Sequence, residues 1–110
     1  MKEFSKDEYN RLCAEFLGAI KYIPKPWYML PQYSEHWYFS NRHKPNRFTD
    51  KMLRFDSDWN WIMEVITKMY SHLNPSSSLK QDLIRSVCTG NKDKTVWIIW
   101  EFLNNQFKYI

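Results

Sequence analysis

The stretch 58–70, DWNWIMEVITKMY, constrains the fold more than any other part of this chain. Apolar residues at 59, 62, 63, 66, 69, 70 and 73 recur at helical spacing. Ser57 is the predicted N-cap, with Asp58 in the first turn where a negative charge suits the helix dipole. His72 lies near the end, and Asn74 with Pro75 stops the helix. Residues two apart on a helix point roughly 200° apart, so Trp59 and Trp61 cannot share a face. Val65, one turn on from Trp61, extends the second side. Such a helix is expected to pack between other elements. A strand would align both tryptophans, but Asp58 and Asn60 are poor strand residues.

The flanking sequence predicts an α+β fold in a single domain, 1–110. Ser5 with Glu8 forms a capping box, and Phe4 with Tyr9 a hydrophobic staple. Tyr9, Leu12, Cys13, Phe16 and Leu17 make one helical face, ended by Gly18. Strands are expected near 19–23, 35–40 and 49–55, forming a small antiparallel sheet. Pro24, Pro26 and Pro31 make 24–34 an ordered loop, with room for an edge strand at 27–30. The pair 36–40 and 49–55 would be a hairpin with 41–48 at its tip. Ser78 with Gln81 resembles another capping box, opening a helix that carries Leu79, Leu83, Ile84, Val87 and Cys88 and ends at Gly90. Asn91 or Asp93 caps a fourth helix, apolar nearly all round, which would be central or cover an interface and leaves room for a dimer. About four helices thus pack with the sheet. Six Trp, seven Tyr and seven Phe against only two Gly supply a core and argue against disorder.

The net charge of +4 has one source. Residues 1–40 carry five basic and five acidic side chains, and residues 56–110 carry six of each. Residues 41–55 hold Arg42, Lys44, Arg47, Lys51 and Arg54 against Asp50 alone. With His43, Phe48 and Tyr38 these combine cations with ring faces, a composition suited to phosphates and exposed bases or to an acidic protein surface. The plain alternative is a solvated loop that aids solubility. Trp27 and Tyr28 in the proline-rich loop are a second binding candidate if exposed, and otherwise a lid over the core.

Residues 58–69 also resemble a helix of small uncharacterised proteins of bacteriophages and prophages, notably of Bacteroides and relatives. Their pattern runs S-W-D-W-L-M-x-V-[VI]-x-K-I. Trp59, Trp61, Met63, Val65, Ile66 and Lys68 match, while Asn60 stands for Asp and Met69 for Ile. Those proteins begin with a helix like LCAEFLG at 12–18 and end with one like WEFL at 100–103, so the likeness touches about a third of the chain. It implies a phage or mobile-element origin and an α+β fold, and carries no chemistry.

Nothing here has the spacing of a phosphate loop, a nucleophile elbow or a metal-binding helix. His36, His43 and His72 are isolated, and His36 is expected to face solvent across the sheet from Trp37. Asp56 and Asp58 are read as capping the helix start. Cys13 and Cys88 each lie on an apolar helical face, so both are expected as buried thiols in a reducing compartment; a disulfide between them stays open. No metal or cofactor is implied. There is no apolar run long enough for a membrane span, and the first residues lack the pattern of a signal peptide. The expectation is a cytoplasmic, non-enzymatic protein that binds a host protein through Arg42, His43, Lys44, Arg47, Lys51 and Arg54 with Trp27 and Tyr28. The alternative is nucleic-acid or nucleotide binding by the same cations.

Overall fold

The computed structural model describes residues 3–22, 35–40, 47–74 and 76–107. The fold is α+β: among these residues, four α-helices with a three-stranded antiparallel sheet. The order is α1 (Lys6–Phe16), β1 (Ile20–Tyr22), β2 (His36–Tyr38), β3 (Arg47–Phe48), α2 (Trp59–His72), α3 (Ser78–Cys88) and α4 (Lys92–Phe102). A π-helical turn, Leu103–Phe107, continues α4. The expected edge strand at 27–30 lies outside the described residues.

The first helix starts as its capping box dictates. Ser5 Oγ accepts from the Glu8 amide at 3.4 Å, and the staple rings Phe4 and Tyr9 lie 5.6 Å apart. It closes with Gly18 at φ 84°, where the Gly18 amide donates to Glu15 and the Ala19 amide to Ala14. This is the paired-bond ending that needs a left-handed residue. The third helix ends the same way, with Gly90 at φ 69° donating to Val87, and Asn91 donating to Ser86.

Two helix starts fall one residue from their expected caps. Asp58, not Ser57, caps α2: its carboxylate accepts from the Asn60 amide at 2.9 Å. Ser77, not Ser78, caps α3 through the Lys80 amide. In both pairs each neighbour has an accepting side chain, and the residue whose backbone is extended takes the role. Asn91 caps α4.

The third strand is also displaced. It is Arg47–Phe48, ahead of the expected 49–55. Asp50 ends it: Asp50–Met52 forms a single 3-10 turn, and the Asp50 carboxylate accepts the Trp37 indole N–H at 2.6 Å while facing Lys21 Nζ at 3.7 Å. After the turn Leu53 and Phe55 point into the core, with Arg54 outward between them.

Sheet register sorts the strands by face. Lys21 pairs with Trp37, and Trp37 with Phe48; both rings are buried. Ile20 pairs with Tyr38, Tyr38 with Arg47, and Tyr22 with His36, all on the opposite face.

The helix α2 packs on two sides, as its paired tryptophans require. Ile62, Val65, Ile66 and Met69 are fully buried. The Trp61 ring meets Phe48 and Phe55 edge-on, each at 4.9 Å, with Phe39 at 6.3 Å. On the other side Trp59 is half-buried beneath the Lys92 ammonium, 6.0 Å from its ring centre. Lys68 donates to the carbonyl of Phe16, so it satisfies an orphan group at the end of α1. Met63 is exposed, which removes it from the expected apolar face. The last helix is central, with Val96, Ile98, Ile99, Trp100 and Phe102 buried. It is stitched to α3 by Thr95, which donates to Ser86 Oγ at 2.8 Å inside the interface.

Candidate functional site

The sequence-predicted cations divide into two groups. Arg42, His43 and Lys44 lie outside the described residues, as do Trp27 and Tyr28. Arg47, Lys51 and Arg54 are described, and all three are exposed. Among the described residues none of the three meets a carboxylate. Arg47 lies over the Tyr38 ring, 5.8 Å from its centre. Arg54 turns back on its own backbone, donating to the carbonyls of Lys51 at 2.6 Å and Leu53 at 3.3 Å. Lys51 lies exposed on the 3-10 turn, with no ion pair or side-chain hydrogen bond among the described residues. Phe48, expected as a ring face beside the cations, is instead a core residue; its pairing with Trp37 puts it on the inner face.

The register of the sheet adds Ile20 and Tyr22 to the candidates named from the sequence. The outer face carries Ile20, Tyr22, His36, Tyr38 and Arg47. Ile20 is 64% exposed and Tyr22 is also exposed, although both are large and apolar. Tyr22 stacks on His36 at 5.0 Å between ring centres. His36 thus lies on the face away from Trp37, as expected. Alternation along 20–22 was a usable signal for this face, but it needed the pairing partners to say which side was out.

Polar side chains of α1 are used to join elements. Tyr9 and Asn10 reach across from α1: the Tyr9 hydroxyl donates to the Phe55 carbonyl at 2.9 Å, and Asn10 Nδ2 donates to Asp56 at 3.1 Å. Asp56 therefore ties α1 to the segment before α2 and does not cap that helix. Burial pushes the Cys13 thiol up, a hydrogen bond with Tyr9 opposes this in part, and the Asp56 charge adds to the rise. A thiol held protonated in this way is a poor nucleophile. The expectation of two buried thiols holds for Cys13 only, since Cys88 is exposed, and both are free. Among the described residues no three His, Cys, Asp or Glu side chains gather as a metal site, and no helix is long and apolar enough to cross a membrane.

No family model, curated protein or solved structure matches the chain. Its surface chemistry is what bears on function.

One concave feature lies apart from the sheet. Phe4, Lys6, Asp56, Asp93, Val96 and Trp97 line a cleft of about 370 Å3, where the start of α1, the segment before α2 and the start of α4 meet. Lys6 Nζ stands 3.6 Å from Asp56 Oδ2. The Trp97 indole N–H is held by Glu101 at 2.7 Å, and the Phe4 ring sits edge-on against Trp100 at 5.2 Å.

Proposed function

We propose that this chain is a non-enzymatic accessory protein of a phage or other mobile element, working in the host cytosol by binding an acidic surface of a host protein. The outer face of the sheet is the centre of that interface, and Arg47, Lys51 and Arg54 are its cationic rim. The observation that carries this reading is the register, which turns Ile20, Tyr22, Tyr38 and Arg47 to one side, away from the core. Tyrosine and arginine around an exposed aliphatic side chain is the composition favoured at the centres of protein interfaces. Cations without carboxylate partners among the described residues supply attraction to an acidic surface. The phage origin rests on the likeness of 58–69 to a phage-protein helix; the matching residues Trp61, Val65 and Ile66 are packing residues, as a shared fold would require.

The same cations would draw nucleic acid, but the rings serve that reading less well. Bases stack on free ring faces, whereas Tyr22 is stacked on His36 and Tyr38 lies under Arg47. The test is capture from nuclease-treated host lysate followed by a salt step. The expected result is an acidic protein retained at low salt and released as ionic strength rises. Capture that vanishes on nuclease treatment would assign the face to nucleic acid, and a partner indifferent to salt would remove the cations from the interface.

A further inference from the structure

We infer that the cleft between the starts of α1 and α4 is a site for a small organic cation, an ammonium carried on an apolar body. Its walls are apolar and aromatic: Phe4, Val96 and Trp97. Its charged groups are two carboxylates, Asp56 and Asp93, against the single ammonium of Lys6. The cleft is thus locally negative in a chain of net charge +4. Ring faces beside carboxylates attract a cation twice, through the ring quadrupole and through charge. A volume of about 370 Å3 lies at the lower end of the range for small-molecule sites.

The walls are set before any ligand arrives. The Phe4 ring is fixed by Tyr9 on one side and Trp100 on another. Trp97 is oriented by Glu101, and Asp56 by the amide of Asn10. A preformed site loses little freedom on binding. The Lys6 side chain is 65% exposed while that of its partner Asp56 is 16% exposed, so the ammonium is the half of this pair open to solvent. Its ammonium stands where a ligand's would, so it acts as an internal competitor that swings into solvent on binding. Asp93, exposed and without an ion-pair partner among the described residues, is the second anchor.

The probe is 2-phenylethylammonium, with 2-phenylethanol as its neutral counterpart, titrated against the 15N-labelled chain. The reporter is the Trp97 indole N–H signal, assigned with Trp97→Phe. The ammonium should shift that signal saturably with a Kd of about 1 mM or tighter, and the alcohol should bind distinctly more weakly. Asp93→Asn should weaken the ammonium by about threefold, the scale of one exposed ion pair. Lys6→Ala should tighten it. Both positions are exposed, so the dispersed amide spectrum should persist in each variant and report folding independently. Equal binding of the alcohol, an unchanged Kd in Asp93→Asn, weaker binding in Lys6→Ala, or no shift of the Trp97 signal would each overturn the assignment.

Discussion

At the scale of single residues, the chain separates side chains that hold the fold from side chains left for contact. Cys13 and Cys88 show the division. A native-state thiol titration should label Cys88 alone, with Cys13 reacting only on unfolding; equal rates would contradict the burial assigned to Cys13. Cys13 and Tyr9 also predict a pH dependence. Burial raises the thiol from its ordinary 9.0 and the phenol well above 10.0, so both stay neutral in the folded chain and ionise when it unfolds. Stability from this pair is fully present below about pH 9 and is lost as pH rises beyond it. Each group adds a slope of about 1.4 kcal/mol per pH unit once its unfolded form ionises. Urea denaturation at about pH 8 and about pH 10 should show the loss, and Cys13→Ala should shrink it. Spacing placed both cysteines on apolar faces. It could not show that α3 buries Leu83 and Ser86 and leaves Cys88 outside, because that depends on where α4 lies against it.

At the scale of elements, helix starts were legible to within a residue, and the residual error has a physical cause. Ser5, Gly18 and Gly90 were readable because only one residue at each place could do the work. At 57–58 and 77–78 two capping side chains stand side by side, and local sequence does not say which backbone will be extended. The distinction is measurable. Asp58→Ala should cost about 1 kcal/mol in urea denaturation, whereas Ser57→Ala should stay within about 0.5 kcal/mol of the parent. The opposite order would restore the cap to Ser57. Gly90→Ala should cost about 1 kcal/mol, since φ 69° strains any side chain there. The third strand was placed too late because residues 49–55 alternate well enough for a strand. What breaks the ladder is tertiary: the Trp37 indole and Lys21 converge on Asp50 and turn the chain.

At the scale of the whole molecule, charge and shape divide the surface. The core is one cluster running from Tyr9 and Trp37 through the α2 face to Trp100 and Leu103. The cations of β3 and the following turn stand outside it, and the carboxylates of the cleft belong to other elements. The concentration of charge in 41–55 was visible in the sequence, and so was a binding reading of it. The outer sheet face and the cleft were not, because each is assembled from segments far apart in the chain. The measurement that bears most directly on the binding reading compares the parent with an Arg47→Ala, Lys51→Ala double variant in capture from nuclease-treated host lysate. Both side chains are exposed, so the variant should fold as the parent does, with amide dispersion as the control. The account predicts a protein captured by the parent and lost with the variant; the same proteins recovered in the same amounts by both would contradict it.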